Sequence, residues 1–373
     1  MKILHIINSL SAGGAEKLVE ESALYMNRDE NVEAHVLILS DKKKFFGEKL
    51  KKNNIQVDVV PRRKIYCPMN VIYIKKHILK GKYDIVHSHL FPCNYWVSLV
   101  SRSFMKKYRP KFITTEHSTH NRRRGRFYFR ILEQFMYSAY DTVISISDGT
   151  QKNLMDWIKI SRKNRDKFKV VYNGVDLASF SKAVPCSKSE IDSTLTENTK
   201  LLCMVGRFSK QKDQATVIKA MKYLPENVFL LLAGDGPLKE ENEKLADISG
   251  VSQRVKFLGI RKDIPEILKT SDLIVVSSHW EGFGLVAIEG MAAGKPVVAS
   301  NISGLSEIVS GAGILFEKEN EKDLADKIKW LLDREKEYEK VAKRCIERSK
   351  KYDIKKMSEE YLKIYRTILT GKI

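Results

Sequence analysis

The sequence has no long hydrophobic run and no close pair of cysteines. No apolar stretch approaches the ~18 residues that a membrane-spanning helix requires. The five cysteines lie far apart, without the spacing of a zinc or redox site, and are predicted to be reduced thiols. The first ten residues, MKILHIINSL, are followed so soon by Gly13, Gly14 and Glu16 that they predict a strand rather than a signal peptide. These absences favour a cytoplasmic protein.

Basic residues outnumber acidic ones, and the excess is uneven along the chain. The 373 residues have a formal net charge of +20, and residues 51–200 contain 29 Lys and Arg against 12 Asp and Glu. Such asymmetry indicates an anionic partner, which could be phosphate groups, nucleic acid or a membrane surface. A solvated surface explains the scattered lysines, but it explains less well residues 120–130 (HNRRRGRFYFR), where arginines alternate with large aromatic residues.

Short, β-branched apolar segments alternate with helix-like segments in both halves of the chain. The predicted strands are 2–8, 34–40, 55–60, 83–89, 111–117 and 141–147 in the first half, and 200–207, 227–235, 255–259, 272–278 and 295–300 in the second. This alternation predicts parallel sheets that are covered by helices on both faces. We therefore predict an α/β fold of two Rossmann-like, doubly wound domains that face each other across a cleft.

The domain boundaries follow from a change in composition. Residues 181–199 are polar and show no clear periodicity, so they are predicted to be a linker. The linker separates an N-terminal domain, residues 1–180, from a C-terminal domain, residues 200–354. The last helix, about 355–373, carries an apolar stripe and is predicted to pack back on the N-terminal domain.

Unusual residues fall after the predicted strands, where open α/β sheets bind their ligands. Gly13 and Gly14 would allow close backbone approach, and the helix that follows would offer its N-terminus to an anion. A plain turn is equally consistent, because the Gly-x-Gly-x-x-Gly dinucleotide fingerprint is absent. Arg207 and Lys212 suit a diphosphate, although solvation is the better explanation of an isolated pair.

Residues 279–289, HWEGFGLVAIE, place two carboxylates eight positions apart among small and apolar residues. The segment before them predicts a buried strand, and residues 285–294 predict a helix that is apolar almost all round. Glu281 would then lie in the strand-to-helix loop and Glu289 inside the buried helix. A buried carboxylate is costly unless it is hydrogen-bonded, so this pair suggests a ligand.

In this order, the segments closely resemble the retaining glycosyltransferases of family 4, which have the two-domain GT-B fold. The resemblance covers nearly the whole chain and includes bacterial-type enzymes of surface polysaccharide and lipid-linked glycan biosynthesis. Its motifs are Gly-Gly-Ala-Glu (13–16), Thr-Thr-Glu-His (114–117), Asn-Gly-Val-Asp (173–176), Gly-Arg…Lys (206–212), Gly-Asp-Gly-Pro (234–237), Val-Lys-Phe-Leu-Gly (255–259) and the Glu-x7-Glu pair.

The resemblance implies a role for each residue of the segment that holds the two carboxylates. Glu281 would contact the hydroxyl groups of the donor sugar, and Glu289 would bind the ribose hydroxyl groups of the nucleotide. The backbone amides of Phe283, Gly284 and Leu285 would hold phosphate and sugar. The further donor-binding residues that the motifs imply are Gly14, Gly206, Asp235, Phe257 and Leu258.

The resemblance also implies a mechanism that retains the anomeric configuration. Arg207 and Lys212 would neutralise the leaving nucleoside diphosphate. No cofactor or metal is expected, and the absence of an Asp-x-Asp motif argues against a metal-bridged fold. The departing phosphate oxygen would deprotonate the acceptor, without a protein nucleophile. His117 would lie near the transferred sugar; without the resemblance, a core or solvent histidine would be the simpler interpretation.

The resemblance also implies that the acceptor binds at the N-terminal domain. Its arginine cluster, interleaved with aromatic residues, suits docking to anionic lipid headgroups and comprises Arg122, Arg123, Arg124 and Arg126. We therefore expect a peripheral protein at the inner face of the plasma membrane. It would transfer a hexose or N-acetylhexosamine from a nucleotide sugar, UDP-linked by default, to a lipid-linked saccharide.

Two other functions fit part of the sequence. A sugar-nucleotide epimerase or hydrolase of the same fold would use the donor without an acceptor. A nucleic-acid-binding protein would use the basic and aromatic patch, because such patches also bind RNA. The second alternative leaves the Glu-x7-Glu pair unexplained, so no nucleic-acid partner is expected.

Overall fold

The computed structural model describes residues 1–42, 45–105, 107, 109–119, 123–160 and 162–371, with the side chains of 162–164 excepted. The chain forms two compact units. The first unit comprises Met1–Gly174 and Ile354–Ile373, and the second comprises Val175–Asp353. The predicted linker therefore belongs to the second unit, whose ends are joined where the Val175 amide donates to the Tyr352 carbonyl at 2.9 Å.

The first unit is built on a parallel sheet of seven strands. They are β1 (Lys2–Ile7), β2 (Glu33–Ile38), β3 (Val57–Val59), β4 (Ile85–His89), β5 (Lys111–Glu116), β6 (Thr142–Ser145) and β7 (Phe168–Val170). The strand order is β3-β2-β1-β4-β5-β6-β7. The order reverses between β1 and β4, where His5 lies opposite His87, and ligands of such sheets bind beyond this reversal.

Helices cover both faces of this sheet, and most follow a strand directly. They are α1 (Gly14–Met26), α2 (Glu48–Lys52), α3 (Asn70–Gly81), α4 (Cys93–Arg102), α5 (Phe127–Ser138) and α6 (Asp148–Ile158). The helix α6 begins where the Ser147 hydroxyl accepts a hydrogen bond from the Thr150 amide at 3.1 Å. Central strand residues such as Leu4, Val86 and Phe112 are fully buried beneath the helices.

The second unit is also built on a parallel sheet, here of six strands. They are β8 (Lys200–Val205), β9 (Val228–Ala233), β10 (Val255–Gly259), β11 (Leu273–Val276), β12 (Val297–Ser300) and β13 (Ile314–Phe316). The order is β10-β9-β8-β11-β12-β13, again with one reversal, here between β8 and β11. Two Rossmann-like sheets confirm the predicted fold class. Among the strands in the described ranges, the sequence analysis missed the edge strands β7 and β13, which have three residues each.

The helices of the second unit complete its two outer layers. They are α7 (Leu177–Ser181), α8 (Lys188–Ile191), α9 (Gln214–Ala220), α10 (Lys239–Ile248), α11 (Ile264–Thr270), α12 (Leu285–Ala292), α13 (Ser306–Val309), α14 (Glu321–Leu332) and α15 (Glu335–Ser349). The helix α12 packs closely on β11, because a Cβ atom at Gly290 would lie 2.8 Å from Cγ1 of Ile274. Residues 287–292 of α12 are all buried, as predicted.

The last helix, α16 (Ile354–Thr370), belongs to the first unit and packs against α1. Its buried residue Tyr365 places its hydroxyl 2.6 Å from Nδ1 of His87. At its surface, Arg366 pairs with Asp29 at 2.6 Å. Within the described part of the chain, no helix combines the length and apolar character needed to cross a membrane.

Candidate active site

The loops that follow β8 and β9 are held together by close backbone contacts. A Cβ atom at Gly234, where φ is +145°, would lie 2.1 Å from the carbonyl oxygen of Gly206. The Phe208 amide donates to the Asp235 carbonyl at 3.1 Å. These contacts bring Gly206 and Asp235, two predicted donor-binding residues, to the same edge of the sheet. The Asp235 side chain is exposed there and accepts a hydrogen bond from the Gly236 amide at 2.8 Å.

The end of β10 joins this group of loops. Gly259 accepts a hydrogen bond from the Gly234 amide at 2.7 Å. Phe257 and Leu258 are half-buried just before it. The Phe257 ring lies 5.8 Å from the buried Phe208 ring, measured between centroids. The predicted donor-binding residues from three different strand ends therefore lie side by side.

Lys212 and Glu281 form an ion pair through Lys212 Nζ and Glu281 Oε1, with 19% and 9% of their side chains exposed. Gln211 Nε2 donates to Glu281 Oε2 at 2.9 Å and to the Trp280 carbonyl at 3.1 Å. Both oxygens of the carboxylate are thus engaged within the protein. The aliphatic part of Lys212 lies against Gly206, where a Cβ atom would be 3.4 Å from Lys212 Cγ and Cδ. Sequence reasoning missed Gln211.

Arg207 differs from Lys212 in its surroundings. Its side chain is exposed, and its guanidinium makes no hydrogen bond or ion pair with any residue that the structure describes. Its backbone is fixed by Gln214, whose Nε2 donates to the Arg207 carbonyl at 3.1 Å. Arg207 therefore presents a guanidinium that is unpaired among the described residues, next to a lysine that is paired with a carboxylate.

The N-terminus of α12 lies in the segment that carries Glu281. Gly284 precedes the helix with φ of +89°, a left-handed conformation that favours glycine, and a Cβ atom there would lie 2.5 Å from Leu305 Cδ2. No side chain caps this end of the helix, so its first amides suit an anion. Phe283 is buried edge-on against the Tyr352 ring, with the centroids 5.4 Å apart.

Glu289 lies one turn into α12 and is only 5% exposed. Because residues four apart share a helix face, Glu289 lies on the same side of α12 as Leu285. The structure thus places Glu281, the amide end of α12 and Glu289 along one short segment, as the sequence predicted for their positions. Their roles toward a donor remain predictions.

In the first unit, Gly14 is the first residue of α1, and a carboxylate from the same motif lies beside it. A Cβ atom at Gly13 would lie 2.3 Å from Oε2 of Glu16, so the Glu16 side chain folds back over the start of the helix. The Ser11 hydroxyl donates to Glu16 Oε1 at 3.4 Å. Burial raises the pKa of Glu16 above its ordinary value. An anion bound at Gly14 would therefore meet this carboxylate.

His117 follows β5 and belongs to a group of histidines at the strand reversal of the first unit. His117 Nε2 lies 3.1 Å from Nδ1 of His89, and His89 Nε2 lies 3.1 Å from Nδ1 of His5. Burial lowers the pKa of His5 and of His117 to about 4, so both are neutral at pH 7. Sequence reasoning missed His5, His87 and His89, although the His-x-His pattern at the end of β4 was a usable signal.

The predicted arginine cluster is not one exposed surface. Arg122 lies outside the described residues. Arg123 Nε lies 3.2 Å from Oε1 of the fully buried Glu133, and the Arg123 guanidinium stacks 3.9 Å above the Phe91 ring. The Arg123 side chain is thus engaged within the unit, and its expected contact with lipid headgroups remains a prediction. Its guanidinium is a charge partner of this fully buried carboxylate.

Arg124 and Arg126 also differ in their exposure to solvent. Arg124 Nη2 lies 3.5 Å from Oε2 of Glu116, and 11% and 10% of the two side chains are exposed. Arg124 is thus also engaged within the unit, and its expected contact with lipid headgroups remains a prediction. Arg126 is exposed, and its Nη1 donates to the Tyr128 hydroxyl at 3.0 Å.

The helix α5 places five large apolar residues outward and a carboxylate inward. Glu133 faces the interior, where Trp157 Nε1 donates to its Oε2 at 2.9 Å. The opposite side exposes a stripe of five large apolar residues: Phe127, Tyr128, Ile131, Leu132 and Phe135. Beside this stripe lies a groove of about 280 Å³ whose walls include Phe91, Trp96, Leu99, Leu132 and Phe135. We call the five exposed residues of this stripe the α5 apolar surface. The sequence analysis did not predict this surface.

Comparison with known proteins covers both units. Residues 12–179 match the family described as Glycosyltransferase Family 4, and residues 187–352 match Glycosyl transferases group 1. An uncharacterized glycosyltransferase of Methanocaldococcus jannaschii is 31% identical over 268 residues, which are 68% of this chain and 66% of that protein. The UDP-Gal:alpha-D-GlcNAc-diphosphoundecaprenol alpha-1,3-galactosyltransferase of Escherichia coli is 29% identical over 264 residues, 66% of each protein.

A solved structure supports the fold over the whole chain. Anabaena HepE, crystallised in complex with UDP and glucose, matches with a TM-score of 0.81 and 23% identity, covering 98% of this chain and 100% of HepE. The resemblance noted in the motifs is thereby confirmed. The chain belongs to glycosyltransferase family 4 and is a glycosyltransferase with the GT-B fold.

Proposed function

We propose that the enzyme transfers a hexose or N-acetylhexosamine from a UDP-linked sugar to a lipid-linked saccharide, with retention of the anomeric configuration. The observation that carries the proposal is the group at the β8 and β11 strand ends: Arg207, Lys212, Glu281 and the amide end of α12. Two cations and a helix N-terminus without a side-chain cap suit a diphosphate, and a carboxylate suits sugar hydroxyl groups.

The choice of UDP and of a lipid-linked acceptor draws on the compared proteins. HepE was crystallised with UDP and glucose, and the name of the Escherichia coli relative specifies a UDP-Gal donor and a diphosphoundecaprenol-linked acceptor. In this chain, Glu289 would accept hydrogen bonds from the ribose hydroxyl groups. The half-buried Phe257 and Leu258 would contact the base, because aromatic and apolar side chains pack on nucleobases.

In the proposed reaction, the bond between the anomeric carbon and the β-phosphate oxygen breaks as the acceptor oxygen attacks on the same face. The acceptor proton moves to the departing phosphate oxygen, so no protein nucleophile is required. Arg207 and Lys212 stabilise the negative charge that develops on this oxygen. Because two side-chain cations and a helix N-terminus supply this stabilisation, we propose that transfer needs no metal ion.

The ion pair between Lys212 and Glu281 affects how a donor sugar would bind. A sugar hydroxyl group that binds Glu281 has to share this carboxylate with Lys212 and Gln211. As the leaving group gains charge, the Lys212 ammonium can interact with phosphate and carboxylate together. The pair thus gives a partly buried carboxylate a charge partner before the donor binds.

We further propose that the α5 apolar surface contacts an anionic lipid membrane. Five large apolar side chains on one exposed helix face are more than isolated surface residues, and such patches mark interaction sites. Exposed arginines flank the patch: Arg126 bonds Tyr128, and the Arg102 guanidinium lies 3.9 Å above the Phe135 ring. Apolar residues bordered by arginine match the face of a helix that lies in a membrane interface.

The test is nucleotide release and product formation with a panel of sugar nucleotides, each assayed with and without lipid-linked saccharides extracted from bacterial membranes. The proposal expects UDP release that depends on the acceptor, and a product whose anomeric coupling in NMR equals that of the donor. Equal release without acceptor would favour the epimerase or hydrolase alternative. A product with the opposite anomeric configuration would exclude the proposed mechanism.

A further inference from the structure

Three imidazoles of the first unit form a line of hydrogen bonds that ends at His117. His5 Nδ1 lies 3.1 Å from His89 Nε2, and His89 Nδ1 lies 3.1 Å from His117 Nε2. His5 lies within β1, His89 is the last residue of β4, and His117 follows β5. His5 and His89 are buried, whereas His117 is half-buried. The line, which we call the histidine array, therefore leads from the interior to the carboxyl ends of the strands.

Hydrogen-bond rules leave the array only two states near pH 7. Burial keeps the pKa of all three rings well below 7, to about 4 for His5 and His117. Each neutral imidazole carries one N–H, and each contact needs one donor and one acceptor. Either every ring is protonated on Nδ1, and His5 donates to His89 and His89 to His117, or every ring is protonated on Nε2 and the direction reverses.

The inner end of the array distinguishes these states. His5 Nε2 is buried and has no hydrogen-bond partner among the described residues. With protons on Nε2, an N–H group without an acceptor would be buried at this position. With protons on Nδ1, the position holds only an unused lone pair. Buried N–H groups without an acceptor are rare in folded proteins, so the Nδ1 state is favoured.

We propose that His89 and His5 are positioning residues that hold His117 as the Nδ1–H tautomer, so that His117 offers an N–H donor to its ligand. Free imidazole side chains in water favour the Nε2–H tautomer, and the array reverses this preference. On the proposed function, on which this step rests, the ligand is the transferred sugar. The Nδ1–H group would then donate to a sugar oxygen, which the other tautomer could not do.

His87 provides a matched control inside the same strand. It is fully buried like His89, and its ring centroid lies 4.2 Å from that of His89. Its Nδ1 lies 2.6 Å from the Tyr365 hydroxyl and its Nε2 lies 2.7 Å from Thr115 Oγ1. Both of its nitrogens are used outside the array. Its nitrogens also approach those of His5 and His89 within 4.8 Å, but it could ligate a metal only by giving up one of these bonds.

Nitrogen-15 NMR of the full-length protein, without sugar or nucleotide, measures the tautomer directly. His117 is assigned by the signals that disappear in His117→Gln. The proposal expects a pyrrole-type Nδ1 and a pyridine-type Nε2 for His117 in the parent protein. His89→Leu should reverse the two signals. His89→Asn should keep them, because the Asn amide nitrogen can replace Nδ1 as the donor, and His87→Leu should also leave them unchanged. A parent His117 protonated on Nε2 overturns the proposal without need of a variant.

The kcat of the His89 variants distinguishes a failure of this inference from a failure of the proposed function. For His89→Leu, we expect kcat to fall about 2- to 10-fold, the value of one hydrogen bond between neutral groups, with a smaller change in KM for the sugar nucleotide. His89→Asn should restore most of kcat. An unchanged tautomer in His89→Leu overturns the array. A reversed tautomer with unchanged kcat overturns the role of His117 at the sugar and leaves the array intact.

Discussion

Replacing Glu281 with Gln tests the ion pair at the centre of the candidate site. In the structure, Glu281 Oε1 pairs with Lys212 and Oε2 accepts from Gln211 at 2.9 Å. A Gln side chain has one acceptor oxygen and one NH₂ group, so it cannot accept from both partners. Glu281→Gln therefore removes the charge partner of Lys212 and sets an N–H group against another donor.

The structure indicates the size of two separate effects. Hydrogen bonds to a charged group are worth about 1.5–3 kcal/mol, and this pair is largely but not fully buried. We expect the free energy of unfolding to fall by about 2 kcal/mol. If the carboxylate also binds sugar hydroxyl groups in the transition state, kcat should fall about 10- to 100-fold for the same reason.

Free UDP gives the discriminating measurement, because it carries no sugar. Calorimetric titration should show equal or tighter binding to Glu281→Gln, since Lys212 becomes available to the diphosphate. Gln211→Leu is the matched control, because it removes one neighbour of Glu281 but keeps its charge, and its kcat should fall less. A near-normal kcat in Glu281→Gln would refute the sugar-contact role. A loss of UDP affinity as large as the loss of turnover would show that Glu281 acts on the nucleotide instead.

Further outcomes are expected. Glu289→Ala should weaken UDP binding about 10- to 100-fold in calorimetry, because one carboxylate would satisfy two ribose hydroxyl groups, and an unchanged affinity in the folded variant would contradict this. Transfer should persist in excess EDTA; loss of activity that Mg²⁺ restores would show that the two cations do not suffice. Ile131→Ser with Phe135→Ser should reduce sedimentation with anionic liposomes, and equal liposome binding by the double variant and its parent would contradict a membrane role. If the parent elutes earlier than the double variant in gel filtration, the surface is a dimer interface instead. Arg123→Ser should lower the free energy of unfolding by about 2 kcal/mol, because it removes a charge-assisted hydrogen bond to the buried Glu133. Stability should fall between pH 6.5 and 5. Burial lowers the pKa of His5 from 6.5 to about 4, so in this range the unfolded chain binds a proton at His5 that the folded chain does not bind, and His5 alone lowers the free energy of unfolding by about 2 kcal/mol. A melting temperature that does not change over this range would contradict the burial of His5 as a neutral ring.

Local pattern was sufficient for most of the fold. The β-branched runs at 2–8, 83–89 and 272–278 each became a strand, because alternation and apolar character are properties of a few consecutive residues. The position of Glu281 and Glu289 around the start of α12 was predictable for the same reason. The edge strands β7 and β13 were not, because three residues carry too little periodic signal.

The tertiary structure alone decided which distant side chains meet. The composition of residues 120–130 predicts a solvent-exposed Arg123, yet Arg123 pairs with Glu133 because α5 turns this carboxylate inward. His5 and His89 are 84 residues apart and touch only because β4 pairs with β1. Hydrophobic periodicity determines which residues form a strand or a helix. Strand order and helix rotation decide which charges and ring nitrogens lie within hydrogen-bond distance, and these depend on how the whole sheet packs.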